Sequence, residues 1–598
     1  MKPVLQSLPI DSTHLLQGLF QQRFELNRSY LMKLSNDNLL RNFYLEAGLW
    51  SYANQPEHIH WGWESPTCQV RGHFLGHWLS GAARSFTATG DSELKAKADR
   101  IVAELGRCQK ENGGEWAGSI PAHYLDLIAR GKAALAPHYT LHKTIMGLYD
   151  MFAYGGNQQA LDILTNFARW FYRWSGQFSR EQMDNILDWE TGGMLEVWAN
   201  LYGLTRQPEH LELMRRYERH RLFDRLLQGE DALTNRHANT TIPEAHGMAR
   251  AYEVTGDPRY RQAVEAYWDF AVTRRGTFCT GGQNAGEIWT PPFAWSARLG
   301  DKDQEHCTVY NMIRLADYLL RWTGDAAYAD YIERNIYNGV LAQQHPQTGM
   351  ITYFLPLAPG SQKKWGSETD DFWCCHGSLV QAHTLYPELA YYQDGEGLLV
   401  SQYIPSELSW ARPDGKVSTS MVFDPEINPI NAVLPDNVAH RPQRWKINLA
   451  VKCAQPQEFT LKLRLPGWLA GKAALQINGQ DVPVASGPSS YVTIRRTWQD
   501  DNLRLELPKA LWTDPIPDAL DMVAFMDGPV VLAGLVDEER ILHGHPDHPE
   551  NMLTLDNERQ WGEWLPGYRT CGQEHGFLFI PLLNVVDEKY TVYFPIKP

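Results

Sequence analysis

The sequence predicts a mainly α-helical protein with a C-terminal β region, an (α/α)6 barrel followed by β-sandwich domains. Three observations predict it. Apolar residues recur at helical spacing from about residue 12 to 385. One turn phrase returns between those helices. Near residue 390 the pattern changes to period-two alternation.

Leu15, Leu16, Leu19, Phe20 and Phe24 are spaced as one face of a first helix, and Leu141, Ile145, Leu148, Tyr149 and Phe152 as the face of another. The turn phrase reads Phe86-Thr87-Ala88-Thr89-Gly90-Asp91, then Tyr252-Glu253-Val254-Thr255-Gly256-Asp257, then Leu320-Arg321-Trp322-Thr323-Gly324-Asp325. Tyr154-Gly155-Gly156-Asn157 and Leu204-Thr205-Arg206-Gln207 read as diverged copies. Gly supplies the left-handed residue that ends one helix, and Asp or Asn caps the next. Each copy is therefore the tight turn of an antiparallel helix pair. Repeated pairs over this length give an open solenoid or a closed toroid. The divergence of the copies and their long insertions favour the closed barrel, with loops gathered around one funnel-shaped end.

From Leu398-Leu399-Val400-Ser401-Gln402-Tyr403 onward the runs are short and β-rich. Trp445–Val451, Phe459–Leu465 and Asn502–Leu507 alternate apolar and polar, with turn signals at Pro466-Gly467 and Asn478-Gly479. The expected organisation is a barrel over 1–388, a β-sandwich over 389–514, and a second small β unit over 515–598 packed on the first. That last unit includes Gly528-Pro529-Val530-Val531-Leu532 and ends on Tyr590-Thr591-Val592-Tyr593-Phe594.

With 598 residues, 43% hydrophobic, the chain has ample material for a large core. Its net charge of -15 argues against nucleic acid or an anionic membrane surface as partner. No stretch approaches a membrane span, and Met1-Lys2-Pro3-Val4-Leu5-Gln6-Ser7 carries no apolar leader, so a cytoplasmic location is expected. The eight cysteines are sparse and irregularly spaced, which in a reducing compartment suits burial, metal binding or catalysis better than pairing.

The chemistry concentrates mid-chain. Gly281-Gly282-Gln283-Asn284-Ala285-Gly286-Glu287 is followed by Glu305-His306-Cys307 and by the vicinal pair Cys374-Cys375. Three thiolates and one carboxylate complete a tetrahedral zinc site, which leaves a second carboxylate for proton transfer. Adjacent cysteines rarely bond each other, because the ring that closes is strained. Glu305 and Cys307 at the start of an apolar helix can both point toward one metal. The loop glycines before Glu287 are expected to let backbone approach a ligand. His73 and His77 are four apart, but no Glu follows His73, which argues against a zinc protease. Trp61-Gly62-Trp63-Glu64 and Tyr139-Thr140-Leu141-His142-Lys143 are expected as pocket walls, and Glu190, Glu196 and Glu244 fall near loop–helix junctions.

These residues resemble the signature of glycoside hydrolase families 127 and 146, the β-L-arabinofuranosidase clan. The resemblance runs over nearly the whole chain, from Gly72-His73 and Gly76-His77 through Gly192-Gly193-Met194 and His237-Ala238-Asn239-Thr240 to Pro466-Gly467-Trp468. It implies the same barrel-and-sandwich architecture and a retaining glycosidase. Glu305, Cys307, Cys374 and Cys375 would hold Zn2+, Cys374 would be the nucleophile and Glu287 the acid/base. His142, His237 or His246, Tyr353 and Glu190 would contact substrate. Where many relatives have Thr between the Glu and Cys ligands this chain has His306, and His376 follows the cysteine pair; both border the pocket and leave sugar specificity open. The expected partner is a small oligosaccharide or glycoside, with a homodimer as a possible assembly. The same machinery on an acidic or branched pentose, or a non-catalytic carbohydrate-binding protein with structural zinc, are the alternatives.

Overall fold

A computed structural model describes residues 3–50, 56, 58–413, 415–423, 444–555, 559–560, 563–564 and 567–598. Met1 and Lys2, part of the N-terminal stretch considered above, lie outside these. Six helices, His73–Thr89, Pro137–Ala153, Met194–Thr205, Ala238–Thr255, His306–Thr323 and Cys374–Ala382, form an inner ring. Each packs on the next, and Cys374–Ala382 closes the ring against His73–Thr89. Leu19–Lys33, Ser92–Glu111, Gln158–Ser175, Pro208–Arg216, Pro258–Trp268 and Ala326–Asn335 lie outside. The inner helices are buried on nearly all faces, and the outer ones are amphipathic. This is the predicted (α/α)6 barrel.

The turn phrase does what its chemistry dictates. Gly90, Gly256 and Gly324 end inner helices with φ of 73°, 75° and 72°. Asp91, Asp257 and Asp325 then accept backbone N–H groups at the start of outer helices. In the diverged copies, Asn157 caps through Ala160 N–H, and Arg206 takes the left-handed position at φ 55°. All five turns join an inner to an outer helix, so they share one end of the barrel, and the N-termini of the inner helices open at the other. Two inner helices touch backbone to backbone. A Cβ on Gly76 would lie 1.9 Å from the Lys143 carbonyl oxygen, so only glycine fits there.

A cavity of about 600 Å³ lies at the turn end. Its charged walls are mutually paired: Arg84 with Glu388, Arg314 with Glu196, Arg250 with Glu253 at 2.9 Å and Arg321 with Asp317 at 2.9 Å. It holds no thiol, and Glu388, Glu196, Glu253 and Asp317 in its walls are committed to guanidinium groups. The chemistry belongs to the opposite end.

The first helix begins at Leu19, not at Leu15. Leu15 closes the strand Thr13–Leu15, which pairs with Ser406–Arg412. A ladder to a distant strand outweighs local periodicity here. The C-terminal run of strands begins at Tyr391–Gln393. Trp445–Val451 and Phe459–Leu465 are one long strand, Arg444–Leu465, paired antiparallel with Ser490–Pro508. The first half of Arg444–Leu465 also pairs with Gly415–Phe423 and its second half with Gly397–Val400, so one strand serves two neighbours along the same edge. Asn478 and Gly479, at φ 52° and 76°, form the predicted tight hairpin turn.

A second sheet runs from Leu511–Ile516 to Tyr593–Lys597 around Val523, Phe525, Leu532, Phe579 and Phe594. It braces the barrel loops. Asp518 accepts from the backbone N–H groups of Trp295 and Ser296, each at 2.9 Å, and the Tyr593 hydroxyl accepts Cys279 N–H at 2.7 Å. The Asn338 side chain bridges to Pro529 O and Val531 N–H, and Lys363 Nζ donates to Leu582 O and Val585 O. The loops so fixed are those carrying Glu287 and Tyr353. No described helix is long and apolar enough to cross a membrane.

Candidate active site and metal centre

Three thiols meet because two inner helices begin side by side. Cys307 sits in the first turn of His306–Thr323, and Cys374 and Cys375 open Cys374–Ala382. The N-terminal end of a helix favours negative charge, which suits thiolates. Glu305 precedes the first helix, with its N–H on Asn284 Oδ1 at 3.3 Å. The strand-like contact of His306 N–H with Tyr353 O, at 3.1 Å, draws Tyr353 onto the cluster.

Cys307 and Cys375 sulfurs are 3.4 Å apart, and Cys374 Sγ is 3.9 Å from Glu305 Oε1. The four donor atoms all lie within 4.8 Å of one another and all four residues are buried. A tetrahedral ion with bonds of about 2.3 Å to sulfur and about 2.0–2.2 Å to oxygen needs donors roughly 3.4–3.8 Å apart. The chain supplies donors of that type near that separation, so the residues fit a metal ion, which they can hold with small side-chain adjustments. Ile351, Leu379, Trp63, Tyr139 and Tyr353 pack around them as an apolar shell.

Without an ion the four donors differ in how readily they ionise. Contacts with Cys307, then Cys375, then the Tyr353 hydroxyl hold the Cys374 thiol well below its usual range, against its burial. Burial pushes Cys307, Cys375 and Glu305 well above theirs, and the Cys374 charge pushes Glu305 further. A bound cation reverses that second group, since coordination deprotonates thiols outright.

Glu287 arrives from a hairpin. Asn284–Ala285 pairs with Ile288–Trp289, and the two turn residues Gly286 and Glu287 have φ of 58° and 67°. Positive φ at both centres is the type I′ pattern, which favours glycine or asparagine. Glu287 is thus held in a conformation that costs about 1–2 kcal/mol for a residue with a Cβ, as residues at functional sites often are. We expect Glu287→Gly to raise the unfolding temperature while removing activity, read by calorimetry and turnover on the same preparation. A lowered unfolding temperature would show the side chain to be structural.

The Tyr353 hydroxyl joins the two groups. It donates to Glu287 Oε1 and lies 3.2 Å from Cys374 Sγ. His237 Nε2 faces Glu287 Oε2 at 3.5 Å, while its Nδ1 accepts Thr240 N–H and caps Ala238–Thr255. The His237 contact, then that of Tyr353, holds the Glu287 carboxyl below its usual range, with the Cys374 charge opposing.

The remaining expected residues divide. His142 is buried, and neither ring nitrogen has a partner among the described residues; it lines a small cavity with Cys307, Tyr139 and Asn239. His246 lies deeper, with Nε2 on Asn311 O at 2.7 Å and Nδ1 on Arg314 at 3.2 Å, so its nitrogens are spent inside the barrel. Glu190 accepts His138 N–H and Tyr139 N–H, both at 2.8 Å, which anchors the start of Pro137–Ala153 with both oxygens. Gly281 and Gly282 are small for packing rather than for a ligand: a Cβ on either would fall 2.5 Å from Asn335 or 2.6 Å from Gln304. Ser378 was not singled out from the sequence, although its hydroxyl is 3.3 Å from Cys307 Sγ. Its place three residues after Cys375 puts it on the same helix face, and that spacing is the signal that finds it.

The (α/α)6 barrel with its appended β units carries a buried Glu/Cys3 cluster beside a strained glutamate, and its catalytic-domain match makes it a glycoside hydrolase. The chain belongs to glycoside hydrolase family 127. Residues 12–388 match the β-L-arabinofuranosidase GH127 catalytic domain, and residues 397–509 match the GH127 middle domain. Among solved structures, a GH127 β-arabinofuranosidase aligns at TM-score 0.77 and 18% identity over 100% of this chain and 98% of that one. A GH127 β-L-arabinofuranosidase from Geobacillus stearothermophilus T6 aligns at 0.71 and 19%, over 98% and 100%. A structure described as a glycoside hydrolase aligns at 0.72 and 18%, over 100% and 98%. No curated protein matches the chain.

Proposed function

We propose that this protein is a zinc-dependent retaining exo-glycosidase that releases β-L-arabinofuranose from small oligosaccharides, with Cys374 as nucleophile and Glu287 as acid/base. The observation that carries the proposal is the Tyr353 hydroxyl set between Glu287 and Cys374. It gives the attacking atom and the proton donor a common support, and two such groups are what a double-displacement glycosidase needs. The family and the names of two aligned structures supply the sugar.

Glu305, Cys307, Cys374 and Cys375 would hold the ion, which keeps the thiols ionised at neutral pH. Cys374 attacks the anomeric carbon as the leaving oxygen departs. Glu287 protonates that oxygen, having taken up a proton once the neutral sugar displaces water and the Cys374 charge stands next to it. In the second step Glu287 takes a proton from water, which displaces the thiolate from the anomeric carbon. Two inversions give retention. His237 steers Glu287 throughout, and His142 stands buried behind the cluster beside Cys307.

A panel of p-nitrophenyl furanosides and pyranosides tests the reading. We expect turnover on the β-L-arabinofuranoside, with the β-anomer of the free sugar as first product by NMR. A preference for another sugar, or the inverted anomer, would contradict it. Within that panel, Glu287→Gln should lose roughly 10²- to 10⁴-fold on substrates with poor leaving groups and far less on activated aryl glycosides. Equal losses on both classes would remove Glu287 from proton donation.

A further inference from the structure

The hydroxyl of Ser378 is a polar group in contact with Cys307 that the reaction above leaves unused. Ser378 Oγ lies 3.3 Å from Cys307 Sγ and 2.9 Å from His306 Nδ1. All three side chains are buried. The directions of these bonds follow from proton counting. A metal-bound thiolate has no proton, so between Ser378 and Cys307 the hydroxyl must donate. A hydroxyl has one proton, so between His306 and Ser378 the ring must donate. His306 is then protonated at Nδ1, and the nitrogen without a partner is Nε2, a bare acceptor. The opposite tautomer would bury an orphan N–H donor and turn the Ser378 proton away from the sulfur, which is the costlier arrangement.

From this we infer that His306 and Ser378 are positioning residues for the metal centre: a chain from His306 Nδ1–H to Ser378 Oγ–H to Cys307 Sγ secures Cys307 as a permanent ligand. The inference rests on the thiolate-ligand reading given under the proposed function. Ser378 has a competing acceptor, the Cys375 carbonyl oxygen at 3.3 Å, the backward bond that helical serines commonly make. The charged sulfur is the stronger acceptor, and donation from His306 into the same oxygen polarises the O–H further. The arrangement separates the thiols by role. Cys307 is held by a hydroxyl that has no part in proton transfer, whereas Cys374 shares Tyr353 with Glu287. One thiol is thereby fixed while its neighbour stays available to attack.

The test is zinc affinity of the full-length protein, measured by competition with a chromogenic chelator. Ser378→Ala should weaken zinc roughly 10- to 100-fold, the usual cost of losing a hydrogen bond behind a metal ligand. Ser378→Thr keeps the hydroxyl and should hold affinity near wild type. His306→Ala should lose a smaller factor. The double variant His306→Ala with Ser378→Ala should lose no more than Ser378→Ala alone, because the ring acts only through the hydroxyl. The sulfur-to-cobalt charge-transfer band of the cobalt-substituted protein should shift in Ser378→Ala and not in Ser378→Thr. Should Ser378→Ala fail to fold, the His306→Ala and Ser378→Thr affinities decide. Unchanged zinc affinity in Ser378→Ala, or losses that add in the double variant, would overturn the chain. A wild-type protein without tight zinc would instead sink the metal reading beneath it, so the two failures are told apart.

Discussion

Cys374→Ser is expected to lower turnover by roughly 10⁴- to 10⁶-fold, the range that follows removal of a covalent nucleophile. The size of the effect comes from the chemistry of the replaced atom. An alcohol is almost wholly protonated at neutral pH and is a poor nucleophile unless a base activates it. The carboxylate that could do so, Glu287, is occupied with the leaving group. Cys374 opens a helix, whose N-terminal end favours a thiolate, and its sulfur lies 3.2 Å from the Tyr353 hydroxyl that also serves Glu287. Serine at that place keeps the shape and loses the anion. The measurement is kcat on an aryl β-L-arabinofuranoside, with zinc content determined on the same sample. Turnover within tenfold of wild type would end the cysteine mechanism and direct attention to a pair of carboxylates.

The second large effect is loss of the metal. Cys307→Ser should release zinc and take activity down by more than the 10- to 100-fold that follows loss of a mere supporting bond. Cys307 lies 3.4 Å from Cys375 and is buried among the other donors. With its sulfur gone, the buried site offers two thiols and a carboxylate. Elemental analysis after gel filtration should find about one zinc per wild-type chain and little in the variant. Full occupancy in Cys307→Ser would show that the ion is held elsewhere.

Much of this was legible in the sequence because it is local. The Gly-Asp phrase specifies a helix end and a helix start with no reference to the rest of the chain, so the barrel could be read turn by turn. The Glu305-x-Cys307 spacing placed two donors at one helix start for the same reason. What was not legible depends on contacts between distant segments. Leu15 has helical spacing but joins a strand more than 390 residues away in sequence, at Ser406–Leu408. Gly281 and Gly282 read as a ligand loop, yet their size answers to Asn335 and Gln304. His246 and Glu190 looked available because sequence does not show that Arg314, Asn311 and the start of Pro137–Ala153 already use them. The spacing of Ser378 from Cys375 was in the sequence, but its contact with Cys307 appears only once the two helices are placed together.

The central claim is that a cysteine, not a carboxylate, forms the covalent bond to the sugar. An arabinofuranosyl reagent carrying a bromoacetamide in place of the leaving group, followed by peptide mass spectrometry, tests it most directly. The account predicts a single label on Cys374, prevented by excess substrate. A label on Glu287 or Glu190, with Cys374 untouched, would contradict it.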